Sequence, residues 1–414
     1  MSNGLFGIER ETIISNSKVR DIFTPFSPID IVENLLGREK EVSQIVGVIN
    51  SPGQHVLLYG DRGVGKTSLA IISHLLIKNM KIIRGKFFIK RCCSDDSFAS
   101  IVQYPLKSIG IDYELSEITE SHTQGGGAKI KAVIAEGGAN SKRTRSCKRV
   151  VEINPSSPAW VSERLKDLKG VFLIDEIDAL PRKNDKKRIA ELIKLLSDSR
   201  SQFKLIVVGI ADTGDELTAG HPSVERCLKE THLARMEDVA LRNIIVEGMK
   251  KLQITPTEKV IDTIVDISAG YPHFTHLVCL KCAENAIVSK KRTVNMPDLE
   301  EALKDAVKES EGALKRRFES TLRGTKNEAE YRCILLAAAH CSIPEFTLSA
   351  LRSKLLDRFN INIPQRVVSR YMSNMIVYRG KGVFDRVSKG VYRFSDPRMP
   401  SFIKMIEVQR SIAQ

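Results

Sequence analysis

The stretch His55-Val-Leu-Leu-Tyr-Gly60-Asp-Arg-Gly63-Val-Gly65-Lys66-Thr67-Ser-Leu-Ala70 decides how this chain is read. Val56–Tyr59 is a short apolar run that predicts a buried strand, and Ser68 to Ile77 predicts the helix after it. Between them, Gly60, Asp61, Arg62, Gly63, Val64, Gly65, Lys66, Thr67 and Ser68 carry the spacing GxxxxGK[ST]. The glycines let successive backbone N–H groups curl around a polyphosphate, and the helix N-terminus adds the positive end of its dipole. Lys66 can reach β- and γ-phosphates, and the Thr67 hydroxyl can ligate Mg²⁺. A chance glycine-rich turn is the alternative, but it would not need a strand before it and a helix behind.

Working outward, Gly170-Val-Phe-Leu-Ile-Asp175-Glu176-Ile-Asp178 is an apolar strand that ends in carboxylates. A parallel α/β sheet places its chemistry at that end of its strands. Asp175 is the expected metal residue together with Thr67, and Glu176 the expected general base on an attacking water. With Lys66, Glu176 belongs to the expected catalytic set. A third apolar strand, Phe203–Gly209, runs on to Asp212 and Thr213, which are candidate sensors of the γ-phosphate.

Composition bounds the rest. The chain has 414 residues, which allows two to four domains. Its 42% apolar and 28% charged content is that of an ordinary folded protein. A net charge of +14 favours anionic partners, although a total says nothing of where they bind. Leu205–Ile210 and Ile334–Ala339 are among the longest apolar runs, far short of the ~20 residues a membrane span needs. The start at Met1 carries no leader pattern, and eight sparse cysteines suggest reduced thiols, so a cytoplasmic location without membrane contact is expected. Cys279-x-x-Cys282 sits in a helical pattern and reads as buried thiols, not metal ligands.

The order of these motifs resembles the AAA+ and STAND-type P-loop ATPases, initiator-like members in particular. Upstream, Gly37-Arg38-Glu39 resembles the box that opens many such modules. The resemblance implies ATP and Mg²⁺ as cofactors and a homo-oligomer. It also implies that Arg226, within His221-Pro-Ser-Val-Glu-Arg226, is an arginine finger presented to a neighbouring subunit. Arg235 is the reserve candidate, and a surface ion pair is the ordinary alternative for either. Residues 236–312 are similar to the AAA+ helical lid, with apolar spacing at Val260, Ile261, Ile264 and Val265. The lid lacks the usual sensor arginine. Gly270-Tyr271-Pro272 stands in that region, and Pro272 is either a nucleotide contact or the first turn of a helix.

The expected architecture is therefore α/β: a parallel-sheet P-loop AAA+ core over 35–235, a helical lid over 236–312 and a C-terminal winged helix-turn-helix over 325–414, after an N-terminal arm over 1–34. Lys66 and Asp175 lie 109 positions apart, which leaves room for an insertion over about 112–155. Gly125–Gly138 reads as a hairpin or loop, and Lys142–Arg149 holds five basic residues in eight.

In the last 90 residues, 15 Lys and Arg face 7 Asp and Glu, so +8 of the total lies there. Helices predicted at Glu330–His340, Ser349–Phe359 and Pro364–Met375, then a hairpin turning at Lys389-Gly390, look like a winged helix. In that family the third helix enters the major groove, which nominates Arg366 and Arg370, with Lys389 and Arg393 on the wing. Two functions fit. One is an ATPase switch that assembles with ATP and binds double-stranded DNA, in replication, transposition or phage defence. The other is a STAND-like signalling ATPase that activates an effector protein encoded nearby and uses its winged helix for protein contacts.

Overall fold

The computed structural model describes residues 18–113, 130–132, 151–210, 222–310, 312–323, 327–341, 344–376 and 382–411. They form two compact units. One comprises 29–60 and 66–233, the other 1–28, 61–65 and 234–414.

The first unit is built on five strands: β1 (His55–Tyr59), β2 (Lys86–Arg91), β5 (Gly170–Asp175), β6 (Phe203–Gly209) and β7 (Leu228–His232). A separate antiparallel pair, β3 (Ile130–Ala132) and β4 (Val151–Ile153), lies between β2 and β5 in sequence. The five-stranded order is β2-β5-β6-β1-β7, and every neighbouring pair is parallel. Every residue of β5 and β6 is buried, which explains their unbroken apolar reading, since an inner parallel strand is covered on both faces. Phe172 and Phe203 stack at 6.3 Å between centroids within that core. Helices α1 (Glu39–Asn50), α2 (Lys66–Asn79), α3 (Phe98–Lys107), α4 (Pro158–Leu165) and α5 (Lys183–Asp198) cover the sheet. Ser97 caps α3 with a reciprocal Ser97–Ser100 box, and Pro158 occupies the first turn of α4.

Of Gly125–Gly138, which reads as a hairpin or loop, only residues 130–132 are described, and Ile130–Ala132 pairs with Val151–Ile153, about 20 residues further on. The Lys142–Arg149 cluster lies outside the described residues, as do the two sensor candidates, Asp212 and Thr213.

The second unit is mostly helical. Helices α6 (Asp238–Lys251), α7 (Glu258–Ser268), α8 (Pro272–Val288) and α9 (Met296–Glu309) make the lid, tied by a short parallel bridge of β8 (Thr255–Pro256) and β9 (Thr293–Val294). Cys279 and Cys282 are buried in α8, where burial pushes the Cys282 thiol up to about 12. They are packed thiols, as the helical pattern indicated. The N-terminal arm enters this unit through Phe23, which is buried and meets His276 edge-on at 6.0 Å.

The expected domain bounds leave 313–324 to neither the lid nor the winged helix, and α10 (Gly312–Leu322) occupies most of that interval. Its Leu314, Phe318 and Leu322 fall four apart on one face and are buried, which is why the segment is helix and not linker. Then follow α11 (Glu328–Ala339), β10 (Glu345–Thr347), α12 (Leu348–Phe359), α13 (Gln365–Met375), β11 (Phe384–Ser388) and β12 (Val391–Phe394). The three strands pair in the order β10-β12-β11. Three helices with this small antiparallel sheet are a winged helix. The last helix, α14 (Met399–Ser411), packs on the lid, where the Lys404 ammonium is 2.7 Å from Asp266 and the Ser401 hydroxyl donates to the Ser268 carbonyl at 2.9 Å.

No helix among the described residues is long and apolar enough to cross a membrane.

Candidate nucleotide site and basic surfaces

β1 ends at Tyr59, and Gly60 follows at φ 153°, with an added Cβ only 2.4 Å from the Leu233 carbonyl oxygen. Leu233 is held there because its N–H donates to the Tyr59 carbonyl at 2.7 Å. A side chain at Gly60 would push the end of β7 away from β1, so glycine is required by close approach. Lys66 opens α2, and its ammonium donates to the Gly60 carbonyl at 2.9 Å, closing the two ends of the loop on each other.

In the same unit, the Thr67 hydroxyl lies 3.3 Å from Asp175 Oδ1, although 108 positions separate the two residues. Asp175 is 3% exposed. Burial raises its carboxyl above the ordinary range, opposed by the Thr67 hydroxyl, the Glu176 N–H and the charges of Arg91 and Lys66. A hydroxyl and a carboxylate, both hard oxygen donors, fit Mg²⁺, whose charge would bring the carboxylate back down. Glu176 is exposed just beyond, with φ 56° and ψ 41°, the left-handed region. That conformation costs a non-glycine residue about 1 kcal/mol or more. Ser68 turns its hydroxyl to the Ile29 N–H at 3.0 Å.

Arg91 is a member of this cluster that no motif marks. It pairs in register with Asp175 across β2 and β5, and its Nε lies 3.7 Å from Asp175 Oδ2. Only strand pairing brings it there.

Arg226 lies two residues before β7, where the Cys227 carbonyl accepts from the His55 N–H at the start of β1. It is therefore at the N-terminal edge of the sheet, opposite Gly60 and Lys66, and a five-residue strand spans about 17 Å. Its side chain is 66% exposed and pairs with Asp198 at 2.6 Å.

The loop residues Asp61–Gly65 belong to the helical unit. There the Tyr271 hydroxyl donates to Asp61 at 3.0 Å, and the Arg235 guanidinium lies 3.4 Å from Asp61 and 4.7 Å from the centre of the Tyr271 ring. Arg235, the reserve finger, is thus held within its own chain. Tyr271 is fully buried, and Pro272 occupies the first turn of α8, with its Cγ 3.9 Å from a Cβ built at Gly65. Gly63 has φ 87°, and its built Cβ would lie 3.1 Å from Cδ of Arg398. Arg398 is 3% exposed and grips Asp396 through two nitrogens, at 3.1 and 2.9 Å. Nothing in Ser395-Asp396-Pro397-Arg398 signals this contact in sequence. Arg62 is exposed and Val64 buried.

On the winged helix, Val368, Tyr371, Met372 and Met375 are buried while Arg366 and Arg370 are exposed one turn apart on the other face of α13. Lys389 is exposed at the wing tip. Arg393 lies opposite Asp385 in the β-ladder, 3.7 Å from its carboxylate, so part of its charge is already matched.

A parallel sheet in this order, with a phosphate loop after its β1 strand and a helical lid, defines a P-loop NTPase of the AAA+ and STAND type. The family described as novel STAND NTPase 1 matches residues 25–337, and the chain belongs to that family. A Walker-type ATPase of Pyrococcus abyssi has a similar fold, with TM-score 0.51 and 16% identity over 92% of this chain and 99% of that one. Weaker likenesses include Cdc6p of Pyrobaculum aerophilum, at TM-score 0.48 and 14% identity over 95% of this chain and 99% of that one. Another is the ORC1 protein of Aeropyrum pernix, solved in complex with DNA, at TM-score 0.46 and 14% identity over 94% and 96%. No curated protein sequence matches the chain.

Proposed function

We propose that this protein is an ATP-hydrolysing switch that oligomerises with ATP bound and grips double-stranded DNA through its winged helix. The observation that carries the reading is the Thr67–Asp175 contact of 3.3 Å, at the head of the helix that begins with Lys66 and beside an exposed Glu176. Gly60, Asp61, Arg62, Gly63, Val64, Gly65 and Ser68 supply the phosphate cradle, Lys66 supports the β- and γ-phosphates, and Thr67 and Asp175 hold Mg²⁺. The bound metal neutralises charge on the phosphates. Glu176 takes the proton of the attacking water, and Arg226 of a neighbouring copy meets the charge that develops on the phosphoryl group. Asp212 and Thr213 serve as sensors, and Pro272 borders the nucleotide. Arg366, Arg370, Lys389 and Arg393 contact DNA phosphates and base edges.

Duplex affinity measured against salt, with and without ATP, tests the DNA reading. Log K should fall steeply with log salt. Arg366→Ala and Arg370→Ala should each reduce the slope by about 1 if the arginine neutralises one phosphate. Absence of ATP-sensitive binding at low salt would remove this reading.

A second reading has its own support. Arg398, from the segment between the wing and the last helix, packs on Gly63 of the phosphate loop within one compact unit. That packing, with the family match, suits a STAND-like signalling ATPase in which the C-terminal region restrains the loop until nucleotide exchange. Its output would be an effector protein. Arg398→Ala should then raise basal nucleotide exchange, whereas unchanged exchange would leave the first reading alone.

A further inference from the structure

The N-terminal edge of the sheet holds a concavity, at the opposite end of the strands from Gly60 and Lys66. Helix α2 ends at Asn79, and the chain turns through Lys81 and Arg84 before entering β2 at Lys86. Lys169 precedes β5, and Arg200 precedes β6. Together with the end of α1 they enclose a cavity of about 470 Å³. Every charged residue lining it is a cation: Lys81, Arg84, Lys169, Arg200 and Lys204. Among the described residues, none of the five forms an ion pair. Elsewhere on this unit cations do find acids nearby, as Lys107 finds Asp112 at 2.9 Å and Lys166 finds Glu163 at 2.6 Å.

Lys204 is the decisive member. It belongs to the inner strand β6 and is 4% exposed. Its ammonium donates to the Ser51 carbonyl at 2.8 Å, and burial pulls its pKa down with no opposing carboxylate. A buried cation without a counter-charge costs folding free energy, and an anion brought to it recovers that cost. Lys81 and Arg200 add a second sign. Each sits just beyond a helix end with φ of 54° and 49°, where glycine or asparagine is the favoured residue. Two helix stops thus place cations at the rim in a backbone conformation that glycine would adopt without strain. Ile49, Ile82 and Ile83 give one apolar wall.

We propose that this cavity is a second ligand site, for a small soluble polyphosphate such as a nucleoside polyphosphate or a free phosphate chain. Arg84, Arg200, Lys81 and Lys169 take the phosphate oxygens at the rim, and Lys204 forms the floor. Its volume falls in the range of small-molecule sites, about 300–1,000 Å³, and its concavity favours a compact ligand over a duplex. The site goes beyond the nucleotide-switch reading and does not depend on it.

Inorganic tripolyphosphate is the probe, titrated by calorimetry into the full chain carrying Lys66→Ala, which weakens the phosphate loop. One equivalent should bind, and the further change Arg84→Ala with Arg200→Ala should weaken it at least tenfold without moving the melting temperature. Lys204→Met provides an independent reading of the floor, while the exposed pair keeps the test valid if that variant unfolds. ATP and GTP in place of tripolyphosphate separate a nucleoside ligand from a bare phosphate chain. No uptake by the Lys66→Ala chain, or uptake untouched by the arginine pair, would overturn the proposal. So would a loss of duplex DNA binding in the arginine pair with no change in tripolyphosphate binding, since the edge would then be a DNA contact. The failure of nucleotide turnover in the wild type would bear on the switch alone.

Discussion

At the C-terminal edge of the sheet, Asp175 is buried beside Thr67, with Arg91 across the ladder. At the N-terminal edge of the same strands, Lys204 is buried, and four more cations stand around it with no carboxylate among the cavity's lining residues. The first edge mixes charges, with the buried acid set between a hydroxyl and two cations. The second has one sign only. Position along a parallel strand therefore separates two chemistries that share a core, and it does so because successive crossovers return every strand in the same direction.

The comparison can be broken at several points. Glu176→Gln should leave ATP affinity intact and lower kcat by about 10²–10⁴, read in steady-state phosphate release. Normal turnover would move the general base elsewhere. Arg226→Ala tests whether the N-terminal edge takes part in catalysis at all. It should cost about 10²–10³ in kcat, and mixing it with Glu176→Gln subunits should restore part of the activity if the arginine acts on a neighbour. Inactivity of co-assembled mixtures would confine catalysis to the C-terminal edge. Lys66→Ala should weaken ATP binding about 10–100-fold, the worth of one charged hydrogen bond, measured by fluorescent-nucleotide displacement.

The acid response sharpens the second edge. His55 is fully buried next to Lys204, and burial first, with the Lys204 charge second, lowers its pKa to about 3. Its Nδ1 accepts from the Leu205 N–H at 3.0 Å, which fixes a neutral ring. Unfolded histidine takes a proton below about 6.5 while the folded ring does not, so stability falls as pH drops through that value. By pH 5 the loss from this residue is about 2 kcal/mol. His74 and His276, each lowered to about 4 by burial, act in the same direction. His55→Gln should flatten the fall of melting temperature between pH 7 and 5, and identical slopes would reject the account.

The parts legible in sequence were those set by near neighbours. The strand, loop and helix around Gly60–Thr67 follow from the GxxxxGK[ST] spacing and its apolar flanks, and β5 and β6 from continuous apolar runs. The buried face of α13 follows from its 3.6-residue period, and the wing from the Lys389-Gly390 turn. In the same way, Leu314, Phe318 and Leu322 carried a helical spacing that polar neighbours obscured. The partners of those segments were not legible. Arg91 meets Asp175 through the register of two strands 84 positions apart, and Arg398 reaches Gly63 through packing within the helical unit.

The sequence by itself determined that this chain would build a phosphate loop, a carboxylate-ended strand and a basic winged helix, because each depends on residues within one or two turns of each other. The tertiary structure alone decided which edge of the sheet each charge occupies. It set Arg226 at the opposite end of the strands from Lys66, seated Arg398 against Gly63, and gathered Lys81, Arg84, Lys169, Arg200 and Lys204 around one cavity. Those five come from three stretches of chain, 81–84, 169 and 200–204, and the net charge of +14 gave no address for them. Electrostatics follows distance in space, and distance in space is fixed only when the strands have chosen their order.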